Sequence, residues 1–483
     1  LQTSGNTNFI IRGFGNGANN AGVEPSVGVF VDGVYRSRSA SALADLPNLE
    51  RIEVLRGPQS TLFGKNASAG VISVVTAKPS LDEVTGSASL TVGDYSQMIV
   101  KGDITGPLSD TVGFSLSGSY NERDGYYENL VGGDALNELN RWGVRGQLLF
   151  LPSDNTEIRF IADMEEIDEA CCGVANLQDG PTGNAVRALG GNLVSNEPYA
   201  YEGYYDFTPQ NEFENSGISM QIDYDFADSV TFTSITAMRS LDRFDNADVD
   251  FTSAPLIDST QGNLTDTEID TLTQEFRLTG STDTMNWMVG AFYFDEEVTQ
   301  DTGLIYGPAF RAYADILTGG IPGDSPLWDL EENLALLGQP VPGGTFFAAG
   351  TGLTEASTMD NQAISLFAQV DIDLGDRATL TLGANYTEDE KDVTFDSTST
   401  DVFSALDLVQ VGGAFIYGAT FQQLILQGVD PQTADAIATA TAAQLAPVVC
   451  TPDNAPACNQ LLALQELQFL PPNIDFPNSV ESG

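Results

Sequence analysis

The side chains best suited to chemistry are thinly supplied. Among 483 residues there is no histidine, which excludes a Ser-His-Asp or Cys-His nucleophile system and any His-ligated zinc or haem. Paired carboxylates could serve a glycosidase-type reaction, but with 68 Asp and Glu residues proximity alone selects no pair. Four cysteines remain. Cys450 and Cys458 bracket Thr-Pro-Asp-Asn-Ala-Pro-Ala, which reads as a loop stapled by a disulfide and suits an oxidising compartment. The adjacent Cys171 and Cys172 fit a vicinal disulfide or two free thiols equally, and a metal less well. Two glycine motifs suggest nucleotides and fail. Gly57-Pro-Gln-Ser-Thr-Leu-Phe-Gly64-Lys65-Asn66 has two residues too many between its glycines for a P-loop and Asn after the lysine, and Gly13-x-Gly15-x-Gly17 lacks the spacing and helix of a dinucleotide site. No catalytic, cofactor or metal constellation emerges, and the chain is not expected to be an enzyme.

Charge and periodicity describe what carries these residues. Residues 1–80 hold seven Lys and Arg against five acids, a net of +2, while the remainder hold twelve against 63, a net of −51. Two parts with different surroundings are implied. The acid excess suits a solvated surface and excludes nucleic acid as a partner, since that polyanion is bound through Lys and Arg on phosphates. The first 80 residues alternate short β-branched runs, Phe9–Ile11, Val27–Val31, Arg51–Leu55 and Val71–Thr76, with Gly/Asn/Ser clusters. That pattern predicts a compact mixed α/β unit with a short helix over Gln59–Phe63.

From about Val84 the pattern becomes two-residue alternation, the mark of strands with unlike faces. In Ala363–Leu374, Ile364, Leu366, Ala368, Val370 and Ile372 oppose Ser365, Gln369, Asp371 and Asp373, and about eleven such strands follow one another. Five tight polar turns, Gly106–Thr111, Leu151–Thr156, Phe226–Val230, Thr279–Thr284 and Leu374–Arg377, alternate with long connections: Asn121–Asn140, Glu165–Phe213, Leu241–Thr267, Asp295–Asp360 and everything after Glu388. Short turns at one end and long loops at the other predict an all-β transmembrane fold, an antiparallel up-and-down outer-membrane β-barrel over residues 84–483. No segment approaches the roughly 18–20 apolar residues of a spanning helix, whereas Tyr95, Tyr120, Tyr224, Trp287, Tyr293 and Tyr386 recur near strand ends as interfacial girdles require. An odd count does not close such a barrel, and the chain opens without Met or a signal peptide, so further strands and a further first segment are expected. Within the last connection, Thr420–Leu445 has helical composition.

Three segments resemble one family. Ile11-Arg-Gly-Phe14, Val29-Phe-Val-Asp-Gly-Val-Tyr35 and the stretch of about thirty residues Leu49-Glu-Arg-Ile-Glu-Val-Leu-Arg-Gly-Pro-Gln-Ser-Thr-Leu-Phe-Gly-Lys-Asn-Ala-Ser-Ala-Gly-Val-Ile-Ser-Val-Val-Thr-Ala-Lys-Pro79 are similar to the plug of TonB-dependent receptors. The resemblance assigns residues 1–80 to the second half of a plug domain and residues 84–483 to the first half of a barrel of about 22 strands, a lumen wide enough to need plugging.

That resemblance implies energy-coupled import of a scarce ligand across a Gram-negative outer membrane, with outer-membrane lipid around the barrel and a TonB-type energy-coupling protein in the periplasm as partners. A ferric siderophore is the ligand it implies first, with a carbohydrate or other organic nutrient as the alternative, for which Tyr201, Tyr204, Tyr205 and Phe207 would speak. A passive porin is disfavoured by the plug. The apical plug loops map to Gly15–Glu24 and Tyr35–Ser41, so Asn16, Asn19, Asn20, Tyr35, Arg36 and Arg38 are expected to touch ligand. Arg12 and Arg56 match plug arginines that face barrel acids and are expected to latch plug to wall.

Overall fold

The computed structural model describes residues 8–15, 22–38, 48–174, 176–227, 229–319, 325–336, 341–375, 377–451, 454 and 457–469. Its first unit is a small sheet of β1 Val27–Val31, β2 Val34–Arg36, β3 Leu49–Arg56 and β4 Gly70–Thr76, in the order β2-β1-β4-β3, with one helical turn, α1 Ser60–Phe63, before β4. β1 and β4 lie parallel at its centre. Being covered on both faces, they are runs of apolar β-branched residues in which Val27, Val29 and Val71 are buried. Asp32 and Gly33 turn the β1–β2 hairpin with φ of 50° and 78°, the positive values that a two-residue Asp-Gly turn supplies at least strain.

The second unit comprises β5 Thr85–Val92, β6 Met98–Ser109, β7 Val112–Arg123, β8 Glu128–Asn129, β9 Leu139–Ser153, β10 Thr156–Glu169, β11 Glu202–Gly203, β12 Gln210–Ala227, β13 Val230–Asn246, β14 Asn263–Thr282, β15 Met285–Ile305, β16 Gly352–Asp373 and β17 Thr379–Ser399. β8 and β11 form a short parallel pair in the loops. The other eleven make one antiparallel sheet in chain order. Connections in such a sheet alternate between its ends, so the five tight turns share one end, as their composition predicts.

The strands outrun their expected lengths at the opposite, outer end. Connections anticipated from Leu241 and Asp295 remain strand to Asn246 and Ile305. There the outward positions switch from apolar to acidic, so the apolar period fades while the backbone ladder continues.

Cross-strand register separates the two faces. Arg145, Asp163, Asn215, Arg239, Glu296, Asn361 and Lys391 fall on the face toward the plug, and Leu148, Phe160, Ile218, Met238, Phe276, Ile364, Leu366 and Leu382 on the other, where they are exposed. On β16 the outward apolar set Ile364–Ile372 covers nine residues, roughly 30 Å of strand and about 23 Å of height at a barrel's tilt, close to the apolar band of outer-membrane barrels. Tyr224, Trp287, Tyr293 and Tyr386 point outward near its edges. No helix among the described residues is long and apolar enough to cross a membrane.

The outer loops carry α2 Pro181–Ala188, α3 Phe310–Leu317, α4 Pro326–Leu336, α5 Leu408–Leu426 and α6 Pro431–Leu445. The single helical stretch expected at Thr420–Leu445 is thus two helices, broken at Gly428 and restarted by Asp430, whose carboxylate caps Thr433 N–H ahead of Pro431. Leu327, Leu334, Phe346, Phe347, Phe403 and Leu462 share a buried cluster that joins the loops carrying α3, α4 and the start of α5. Cys450 and Cys458 are bonded, and so are Cys171 and Cys172.

Candidate functional site

The plug sheet sits against the inner face of the wall, and its seat begins with apolar contact. Phe30, Tyr35, Ala67 and Val71 of the plug share a buried cluster with Phe292, Phe294, Ala363 and Phe367 of β15 and β16. Val34 packs on Ile235 and Ala237 of β13. Glycine permits the closest approach: a Cβ on Gly33 would lie 2.7 Å from Ile235 Cδ1.

Charges then fix the register of plug on wall. Arg38 donates to Glu296, its Nη2 3.2 Å from Oε1, and Glu296 is fully buried. Lys65 lies 2.9 Å from Asp389 and 3.3 Å from Glu24, with its ammonium 4.4 Å from the Phe294 ring centre. Lys391 of β17 donates to Glu24 at 2.8 Å. Burial pushes the Glu24 carboxyl up, but Lys65 and Lys391 outweigh that and hold it below the usual range. Asp32, 6% exposed, is gripped by Arg145 and Arg159 of β9 and β10 and accepts from Thr76 N–H at 2.9 Å. Arg159 also donates to Thr76 Oγ1 and to Gln147. The seam therefore runs both ways: plug cations meet wall acids, and plug acids meet wall cations.

Above the seam the inward face carries Phe213, Leu241, Ile269, Val298 and Met359 as one apolar row across β12 to β16. Arg36 stands at its foot, 4% exposed, with Nη2 3.9 Å from Asp163 and with Nε and Nη1 unpartnered. Burial lowers its pKa and Asp163 opposes that. The Arg36 Nε–H and Nη1–H are buried donors without an acceptor among the described residues.

Several expected site residues lie elsewhere. Tyr35 is 1% exposed, and its hydroxyl accepts from Asn66 at 2.6 Å, so it supports the plug core and touches no ligand space. Arg38 is engaged by Glu296. Arg12 and Arg56 are exposed and make no ion pair among the described residues; Arg56 ends the edge strand β3, across the plug sheet from β2 and β13. Asn16, Asn19 and Asn20 fall outside the described residues. Tyr205, one of the aromatics weighed for a sugar pocket, is a buried core residue beside Tyr127 and Phe251.

The residues missed are Glu24, Asp32, Lys65, Arg145, Arg159 and Glu296. A signal for two of them existed. Basic residues are rare after residue 84, and Arg145 and Arg159 both occur at the inward parity of their strands.

In the loops, Asp206, Asp248 and Asp250 bring carboxylate oxygens within 4.8 Å of one another, the one group of described residues with the geometry to admit a metal ion. Burial first, then Asp250 and Asp206, pushes Asp248 well up, and burial raises Asp250 to about 6.

Residues 2–71 match the TonB-dependent receptor plug domain family. Over that stretch the chain is similar to the plug of TonB-dependent receptors. Among curated relatives, the ferrioxamine B receptor of Salmonella typhimurium is 27% identical over 204 residues, 41% of this chain and 26% of that receptor. The iron-regulated outer membrane virulence protein of Vibrio cholerae is 38% identical over 90 residues, 17% of this chain and 13% of that protein. Among solved structures, the ferric yersiniabactin uptake receptor of Yersinia pestis superposes with a TM-score of 0.59 at 18% identity, covering 78% of this chain and 50% of that one. The chain thus spans about a quarter of the ferrioxamine B receptor and half of the solved structure, and the latter likeness carries the fold, a plug sheet against an outer-membrane barrel wall.

Proposed function

We propose that residues 1–80 are plug and residues 84–483 wall of a receptor that imports a ferric siderophore across a Gram-negative outer membrane. A TonB-type energy-coupling protein in the periplasm moves the plug. The observation that carries this is a plug sheet held inside an outward-apolar barrel wall by buried, reciprocal ion pairs, an arrangement that closes a pore yet can be rearranged. The relatives' names, which speak of ferrioxamine B, yersiniabactin and iron regulation, support the iron chelate over a carbohydrate. Ligand is received above the seam, with the apolar row as its wall, Arg36 as donor and Asn16, Asn19 and Asn20 as further polar contacts. Arg12 and Arg56, exposed on the plug, are a weaker second latch. The chemistry is transport and not catalysis.

The test is growth of a strain lacking the gene on defined iron sources. Loss of growth on one ferric siderophore, restored by the native gene and weakened by Arg36→Gln, is expected. Normal growth on every ferric siderophore with a lost response to a sugar would overturn the iron assignment.

A further inference from the structure

Two outer loops meet over three aspartates. Asp206 lies in the connection that leads into β12, and Asp248 and Asp250 lie in the one that leaves β13. Their carboxylate oxygens come within 4.8 Å of one another, the spread that oxygens sharing one ion at about 2.4 Å can have. The backbone holds the three in place. Asp248, 1% exposed, accepts from Asp206 N–H through one oxygen and from Asp250 and Phe251 N–H through the other. Asp250 Oδ1 accepts from the N–H and hydroxyl of Thr252. Tyr205 and Phe251, the chain neighbours of Asp206 and Asp250, meet edge to face at 6.1 Å, so aromatic packing joins the two loops at this point.

A separate observation shows that the group lacks a partner. Asp206 Oδ1 and Asp250 Oδ2 are closed to solvent and accept no hydrogen bond. A carboxylate oxygen shut from water without a donor costs folding free energy, and here two of them belong to residues gathered around a third, buried carboxylate. No Lys or Arg among the described residues forms an ion pair with the three, and the charges acting on Asp248 are those of Asp250 and Asp206. A neutral donor would satisfy an oxygen and leave the repulsion, whereas a cation answers both. Three carboxylates with no nitrogen or sulfur ligand suit a hard ion. A site built on loops suits calcium, which takes oxygens in loose geometry, over magnesium, which requires a near-ideal octahedron.

We propose that Asp206, Asp248 and Asp250 hold a calcium ion that pins the loop before β12 to the loop after β13 on the outer side of the wall. The site is built from these loops alone and is independent of the ligand imported.

In the test, the full-length receptor in detergent micelles is stripped with chelator and given calcium to about 10 mM, roughly ten times the weakest affinity of extracellular calcium sites. Hydrogen exchange over residues 204–208 and 246–252 should then slow about tenfold, since an ion that binds only the closed loops stabilises them by mass action. Asp206→Asn and Asp250→Asn each keep the shape of the carboxyl and shed repulsion. In chelator both variants should exchange no faster than the native receptor, and both should lose most of the calcium response. Calorimetry supplies a second readout, in which each variant binds one calcium ion fewer than the native receptor. Native exchange that ignores calcium, or variants that respond and bind as the native does, overturns the proposal. So does equal slowing by sodium at matched ionic strength, which means an adventitious ion only. Should one variant be loosened in chelator, the other decides. Neither readout involves an iron source, so failure here leaves the import reading standing.

Discussion

Among the described residues Asp248 sits beside acids and pairs with no cation, and proton uptake relieves that. Its carboxyl and that of Asp250 are raised, so the folded loop holds protons that the unfolded chain, with ordinary values near 4, releases. A raised acid contributes its stability fully below the unfolded pKa and loses it as pH climbs through the folded one. With chelator present to exclude metal, hydrogen exchange in residues 203–256 should quicken steadily from about pH 4 upward, through the value of about 6 at Asp250 and beyond it at Asp248. Exchange that slows over that range, after correction for intrinsic rates, would contradict the assignment. Little of this scale is legible in the sequence, because a side chain's partner depends on how two units dock. Arg36 and Arg38 are two residues apart and look alike, yet Arg38 grips Glu296 through both Nη atoms while Arg36 only approaches Asp163, at 3.9 Å. Asp32 reads as turn chemistry because it is in a turn, and nothing local reports the two arginines that close on it.

At the scale of elements the sequence is far more legible, since alternation over five to ten residues states which face is apolar and a polar cluster states where a strand must turn. All eleven wall strands and the five tight turns follow from that. The outer halves of β13 to β16 do not, because acids alternating with polar residues carry no apolar period. Turn residues give a direct test: Gly33 combines a φ of 78° with a close approach to Ile235. Gly33→Val should lower plug stability by about 1–3 kcal/mol from backbone strain alone, read as a lower urea midpoint for plug proteolysis with the wall unchanged. The Cys450–Cys458 staple is separable in the same way. Closing so short a loop is worth roughly 2–3 kcal/mol, so a double Cys→Ser variant should lose protection over residues 446–462 while barrel melting stays put. In native protein both cysteines should resist thiol labelling until reduced, and labelling beforehand would show the bond does not form in the membrane.

Across the whole molecule, the split between a net of +2 and a net of −51 invites a simple picture of a basic plug in an acidic sleeve, and the seam is more symmetrical than that. Much of the acid excess lies on the outward band and in the loops, away from the plug, while the wall turns Arg145, Arg159 and Lys391 inward to hold plug carboxylates. Buried pairs of this kind are little screened by salt, but removing one member strands its partners at about 3–5 kcal/mol. Asp32 is the most exposed to that arithmetic, since its loss leaves the buried Arg159 without an acid partner, leaves Arg145 with Asp163 alone and frees Thr76 N–H. Asp32→Ala should therefore unseat β1, β2 and β4 from β9 and β10, admit antibiotics too large for porins, and leave the wall's own melting nearly unchanged. Arg56→Ala, at an exposed position with no pair among the described residues, should leak much less. Raising salt to about 1 M, where the Debye length falls to about 3 Å, should leave native impermeability intact. If Asp32→Ala keeps the pore closed while Arg56→Ala opens it, the plug is held from the side of β3, and the buried seam is packing without a role in closure.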